Sequence, residues 1–325
     1  MSNFLVGSGS RMCWLKETAF GTVPTTKTGS SLINITSESI VVAAEKSDEG
    51  NLLSSKTATN RDLMSVTVSG SVSSILRPEF ADILLEMGLG VSASVTGDSI
   101  PTGYSQKKYT LANAGADLPS FTTFINRGGA GYKTYAGNTV GSFSIECTSN
   151  DYVKCSTDIT GHKEISTALT TSEKTALDGK SYSKPSYRCT QAKMTIGGTE
   201  YDVETATVQI SNNLVEAPKV YSSGLYAGQP KSGTREVTVS FTIPYSADMD
   251  TFKDKYLLTE DNASIVLKFT TSDSQEFIEI TVPNVAITSS SNSVGGTGLI
   301  ETSVEGIALS VGNVEPISVV VQSKN

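Results

Sequence analysis

The sequence predicts an all-β protein with short flanking helices. Short runs alternate strictly between apolar and small hydroxyl residues, and Gly- or Asn-type turn signals interrupt them nearly everywhere. Ser and Thr together make up roughly a quarter of the 325 residues, well above ordinary globular usage. Both suit the solvent side of a strand, Thr because it is β-branched and Ser because it is small.

Ser39–Ala43 reads as the first strand of a unit that continues through Met64–Gly88, "MSVTVSGSVSSILRPEFADILLEMG". There Met64, Val66, Val68 and Val72 share one face against Ser65, Thr67, Ser69 and Ser71. Phe80, Ile83, Leu84 and Met87 then follow the spacing of one buried helix face. Pro78 suits the first helical turn and Gly88 the C-terminal stop. "FTTFI" and "VKCSTDITG" supply further strands. Gly161 to Pro185 reads as a polar linker with one helical turn at Ser172–Leu177.

The second half repeats this order. In "AKMTIGGTEYDV" Met194 and Ile196 alternate with polar residues, and Gly197-Gly198 supply the positive φ angles of a two-residue hairpin turn. A strand at Thr205–Ser211 answers "ESIVVA". Arg235–Leu257, "REVTVSFTIPYSADMDTFKDKYL", then sets Val237, Val239, Phe241 and Ile243 on one strand face. It continues into a helix burying Met249, Phe252 and Tyr256, with Ser246 or Asp248 as N-cap. Strands follow at Ser264–Thr270, Glu276–Val282 and Ser303–Leu309. In both halves a long polar stretch sits between the first two strands, Glu45 to Leu63 and Asn212 to Arg235. Loops of that length in a compact domain have a function or are disordered. The expected organisation is an N-terminal arm (1–30), a first β domain (31–165), a linker (166–185), a second β domain (186–312) and a C-terminal tail (313–325).

Composition excludes several function classes. A net charge of −8 with only 25 Lys and Arg argues against a protein that grips nucleic acid. Aromatic content of 7% is thin for base stacking. No apolar run is long enough for a membrane helix, and "MSNFLVGSGSRMCWLKE" has no apolar core of a secretory signal, so the expected compartment is the cytoplasm, without membrane insertion. Four cysteines, Cys13, Cys147, Cys155 and Cys189, are too few for a disulfide-built fold. If Asn150–Tyr152 form a hairpin loop, Cys147 and Cys155 face each other, and a disulfide is within geometric reach.

His162 is the only histidine, which removes His-based triads and most zinc sites; it is assigned no role. "RGGAG" (127–131) lacks the Lys-Ser/Thr of a phosphate loop and reads as a loop tip. The expectation is a non-enzyme with no catalytic residue, metal or cofactor.

Several places together resemble the tail tube (major tail) proteins of tailed bacteriophages. "ETAFGT" (17–22) looks like that family's opening motif, and "VTVSGSVSSILRPEFADILLEMGLG" like its first strand-and-helix unit. "TIGGTEYDVETATVQISNNL", "SGTREVTVSFTIP", "ASIVLKF" and "FIEITVPNVAITSS" are similar to its second half. The resemblance covers about Glu17 to Ser310 and lies in the order and spacing of these pieces. It implies duplicated β-sandwich or β-barrel tail-tube domains that join into a ring-shaped inner β-barrel, stacked into a conduit for genomic DNA ejection. The duplication then suggests a trimeric, pseudo-hexameric ring, with a hexamer of single chains as the alternative.

As further partners the resemblance implies the tape-measure protein, the tail terminator, the tail-tip or baseplate proteins and, in contractile tails, a sheath. Double-stranded DNA would pass the lumen without specific binding, and the particle would assemble in the host cytoplasm. Contacts between stacked rings are expected from the segment before Pro24 and from the two long loops, at Glu45, Asp48, Glu49, Leu52, Leu53, Asn213, Leu214, Tyr221, Leu225 and Tyr226. A surface-exposed or secreted β-sandwich adhesion module is the competing reading.

Overall fold

The structure, a computed structural model, describes residues 5–48, 60–97, 100–113, 115–217, 224–272, 275–293 and 299–324. Its strands run in chain order as β1 (Arg11–Lys16), β2 (Ser31–Ile33), β3 (Ile35–Glu38), β4 (Val41–Ser47) and β5 (Asp62–Ile75). Helix α1 (Pro78–Leu89) is followed by β6 (Gly90–Val95), β7 (Tyr104–Leu111), β8 (Phe121–Asn126), β9 (Tyr132–Thr148), β10 (Lys154–Gly161) and β11 (Lys163–Ile165). Helix α2 (Thr171–Asp178) precedes β12 (Arg188–Ile196), β13 (Thr199–Tyr201), β14 (Thr205–Ser211) and β15 (Glu236–Pro244). Helix α3 (Ala247–Tyr256), β16 (Ala263–Thr270), β17 (Phe277–Ser293), β18 (Glu301–Ala308) and β19 (Ser318–Lys324) complete the chain.

Strand pairing repeats. In the first half β1 pairs with β2 and β8, β8 with β9, β9 with β10, β10 with β5, and β5 with β3 and β4. In the second half β12 pairs with β13 and β16, β16 with β17, β17 with β18, β18 with β15, and β15 with β14. The two halves are then sewn together: the C-terminal part of β9 pairs antiparallel with β14. The result is one continuous run, β4-β5-β10-β9-β14-β15-β18-β17.

The buried faces of these strands and of two helices form one core. Phe80, Ile83, Leu84 and Met87 of α1 are buried there with Val140, Phe143 and Ile145 of β9. Met249 and Phe252 of α3 pack under Phe241, whose ring meets Phe252 edge-on at 6.4 Å. Pro78 stands in the first turn of α1 as expected. The left-handed C-cap is Gly90 and not Gly88, with φ of 94°. Gly88 serves another purpose: a Cβ there would lie 2.4 Å from the Phe143 ring. Ser246 is the N-cap of α3, without a side-chain bond to the helix.

Three segments behave differently from their reading as arm, linker and tail. The N-terminal segment supplies β1, whose run Met12–Leu15 is buried between β2 and β8. Residues 171–178 form a full helix closed by a capping box between Thr170 and Glu173. Leu177 of that helix is buried against Cys13 and Phe124, and its carbonyl accepts from Arg11 Nε at 3.1 Å. Near the C-terminus β19 inserts between β17 and β7.

The "ETAFGT" motif is a structural clasp. The Glu17 carboxylate, 6% exposed, accepts from Gly21 N at 2.9 Å, Ser120 Oγ at 2.7 Å, Thr122 Oγ1 at 2.7 Å and Gly137 N at 2.8 Å. Four charge-assisted bonds offset the desolvation of one buried carboxylate.

Candidate functional site

The antiparallel register decides which side chains share the outer face of the eight-stranded run, because directly opposite residues point the same way. Glu146 stands opposite Lys154 of β10 and Thr207 of β14. Thr207 faces Ser240, Ser240 faces Glu305, and Glu305 faces Ser289. A second row runs from Ser39 through Ser71, Asp158, Ser142 and Ser211 to Glu236. The chain thus lays down one broad surface of hydroxyls and carboxylates, backed by the core.

Its charge is one-sided. Glu45, Glu146, Asp158, Glu236, Glu301 and Glu305 lie on it, outnumbering the cations Lys154 and Lys46, the latter set opposite Leu63 at the β4–β5 bulge. Lys154 Nζ is itself held by Asp151 at 2.6 Å. Serines serve the carboxylates: Ser142 Oγ donates to Asp158 at 2.7 Å, Ser144 Oγ to Glu146 at 2.8 Å and Ser65 Oγ to Glu45 at 2.8 Å.

The run has two open ends. Among the described residues no strand pairs with the outer edge of β4, nor with the outer edge of β17 over Ala286–Ser293. On the β4 side one backbone position is already occupied. Ile40 N donates to Glu38 Oε2 at 3.0 Å, and Ile40 O accepts from Arg127 Nη2 at 3.0 Å. Arg127 also grips Glu38 through two bonds of 2.7 and 2.9 Å. Those bonds, with the Ile40 N–H, hold the Glu38 carboxyl below its usual range.

The residues expected to contact a stacked neighbour are divided by the structure. Glu49, Leu52, Leu53 and Tyr221 lie outside the described residues. Glu45 and Asp48 stand at the end of β4, where Asp48 Oδ1 pairs with Arg61 Nε at 3.0 Å. The second long loop lies back on the first half of its own chain. Val66 N donates to Leu225 O at 2.9 Å, Gly115 N to Ser232 O at 2.9 Å and Gln229 Nε2 to Leu118 O at 2.9 Å. Tyr226 packs on His162 with ring centroids 5.3 Å apart. Asn213, at φ 44°, bonds Thr234 O at 2.7 Å, and half-buried Leu214 lies beside Gly141.

His162, assigned no role in the sequence, thus packs where the two halves meet, between Phe20 and Tyr226, with Nδ1 2.8 Å from Ala227 O. Its neighbours come from distant segments, so nothing in the surrounding sequence signals the contact.

The cysteine expectation is corrected. All four thiols are free. The register sets Cys155 opposite Ile145 and Cys147 opposite Ala206, so Cys147 and Cys155 do not face each other. The β9–β10 turn is centred on Asn150, one residue before Asp151, which shifts the partner of Cys155 by two. Burial pushes the Cys155 thiol up to about 12 and that of Cys13 to about 11. Among the described residues no three His, Cys, Asp or Glu side chains gather as metal ligands, and no helix is long and apolar enough to cross a membrane.

Comparison with known proteins adds the following. A family model described as "Phage tail tube protein" matches residues 7–308. No curated protein sequence matches the chain. Among solved structures, the anti-feeding prophage tube-terminating cap aligns at 13% identity and TM-score 0.30, over 43% of this chain and 93% of that one. The tube–sheath complex of an extracellular contractile injection system (PVC), in its extended state, aligns at 12% identity and TM-score 0.29, over 49% of this chain and 100% of the other.

Proposed function

Because the chain belongs to the phage tail tube protein family and is a structural subunit of the virion tail, we propose that each chain supplies two adjacent sectors of a tube ring, so that three chains close it. The observation that carries this reading is the seam between β9 and β14. It already joins the sheets of two repeated units edge to edge within one chain. The units in this reading are residues 31–165, with β1 added, and 186–312.

A heterologous contact repeated by rotation closes into a ring, and closure removes the sheet edges that would otherwise aggregate. In that ring the face of hydroxyls and carboxylates lines the bore. Fixed negative charge there repels the phosphates of passing double-stranded DNA, which therefore slides without specific binding. Stacking between rings falls to the ends of the long loops, at Glu45–Asp48 and Asn213–Leu214. Rings assemble in the host cytoplasm with the tape-measure protein, tail terminator, tail-tip or baseplate proteins and, in a contractile particle, a sheath.

Negative-stain electron microscopy of the purified chain at high concentration, with ring averages classified by symmetry, tests the reading. Hollow rings or tubes with three-fold averages are expected. Six full-length chains per ring would overturn the two-sector account, and persistent monomers even with the tail-tip complex would overturn the ring itself.

A further inference from the structure

Resting on the ring reading, we infer that the outer edge of β4 in one chain pairs antiparallel with the C-terminal stretch of β17 in the next, with Val42 opposite Ser290. The register comes from the chain's own seam. β10 and β18 correspond residue for residue, because each runs eight residues and each meets a bulge in its partner at the same place, after Asp158 and after Glu305. Asp158 faces Ser142 and Glu305 faces Ser289, so Ser142 corresponds to Ser289 and Phe143 to Ser290. Thr160 faces Ser69 and Ile307 faces Thr238. Ser69 in turn faces Val41, and Thr238 faces Gln209, so Val42 corresponds to Ile210. Inside the chain Ile210 stands opposite Phe143. The same pairing between chains sets Val42 against Ser290, Val41 against Ser291 and Ala43 against Ser289.

A second observation agrees. Ile210 is 1% exposed, whereas Val42, at the corresponding place, is 40% exposed on an unpaired edge. Backbone polarity agrees too. Ser39 N donates to Ser71 O across the β4–β5 side, so by alternation Val42 directs its N–H and C=O outward. The outer seam differs from the inner one in chemistry. Ser290 and Asn292 replace the buried Phe143 and Ile145, so the edge of β17 stays soluble before it is joined. The partner is a second copy of this chain, added by strand augmentation.

Disulfide trapping in the full-length chain tests the pairing. Val41 and Ser291 form a non-hydrogen-bonded pair in this register, with Cβ atoms about 5 Å apart. The double variant Val41→Cys/Ser291→Cys, oxidised after assembly, is expected to give a covalent ladder on non-reducing gels ending at three chains. Dimers from Val41→Cys alone would mean that two β4 edges pair, and equal trapping by Val41→Cys/Ser289→Cys would mean a shifted register; either overturns the inference. Rings visible by microscopy without any ladder would overturn the pairing and leave the ring standing, whereas a wild-type chain that never forms rings removes both. Val42→Pro deletes one outward N–H from an edge strand, where proline is tolerated. It is expected to leave circular dichroism and melting as in wild type while abolishing rings, and rings formed by that variant would also overturn the pairing.

Discussion

Ile210 of β14 stands directly opposite Phe143 of β9, and each side chain is 1% exposed. The pair lies one position from the end of the β9–β14 seam, which joins the two halves alongside the β17–β19–β7 pairing. Phe143 also fills the space that Gly88 leaves open on α1, and the neighbouring Asn212 Nδ2 bonds both Gly88 O at 3.0 Å and Val140 O at 2.9 Å. Helix, first sheet and second sheet therefore meet at one aromatic ring.

Truncating that ring should be costly. Phe143→Ala is expected to lose about 3–5 kcal/mol of stability, and Gly88→Ala about 1–3 kcal/mol, because the added methyl must displace the ring. Scanning calorimetry of the purified subunit reads both. A melting temperature within a degree or so of wild type for Phe143→Ala would mean that the seam does not couple the halves.

Glu17 gives a cleaner electrostatic test. Glu17→Gln preserves size but presents an amide group to a pocket built wholly of donors, from Gly21, Ser120, Thr122 and Gly137. A loss of about 1–3 kcal/mol follows from leaving buried groups mispaired. Chemical denaturation that shows Gln as well tolerated as Glu would refute the clasp.

These two sites show how much could be read without coordinates. Thr205–Ser211 is a strand over those very residues, and the Gly197-Gly198 turn has φ of 57° and 90° as its sequence requires. The repeated "VTVS" marks equivalent strands, yet its register is displaced. Sheet pairing aligns Val68 with Val237, two residues from where the echoed letters fall. A slip of two preserves the inward face, so alternation alone is blind to it. β17 runs on well past Val282 because Pro283 sits at a bulge and does not end the strand. β1 was hidden because Met12–Leu15 is buried on both faces and shows no alternation. The β9–β14 seam, like the acidic face it completes, depends on pairing between distant segments and left no local trace.

Acidification should act at Glu38. Its carboxyl is held low by Arg127, so its contribution is fully present above the ordinary carboxyl value of 4.5 and disappears as pH falls through the lower folded value. Melting curves should therefore fall more steeply below pH 4.5 in wild type than in Glu38→Gln. Parallel curves would mean that Arg127 stabilises the edge by packing alone.

Reversing the charge of the acidic face should slow DNA release. Glu146→Lys with Glu305→Lys places cations where Ser144, Thr207 and Ser240 now surround carboxylates. Particles carrying the double variant are expected to eject DNA more slowly, most visibly at low salt, where charge is least screened. Ejection kinetics equal to wild type would remove the electrostatic account of the bore.

Thiol chemistry should follow burial. All four cysteines are free and buried, so a thiol reagent at mild alkaline pH should modify them slowly in the native subunit and fully after unfolding. Two titratable thiols in the unfolded, unreduced chain would instead reveal a disulfide.

If a neighbouring β17 adds at the β4 edge as inferred, the grip of Glu38 and Arg127 on Ile40 makes that addition an exchange reaction. An incoming β17 edge reaches Val42 freely, but at Asn292 it meets backbone groups already satisfied by a side-chain pair, and its strand can lengthen there only by evicting them. Such a latch slows the first encounter between two free chains more than docking onto a platform that grips elsewhere as well. On that pairing, growth would favour existing ends over new starts, and the number of filaments would follow the number of starting platforms rather than protein concentration. Arg127→Ala should accordingly shorten the lag in turbidity traces of assembly, yielding more and shorter filaments from the same mass of protein.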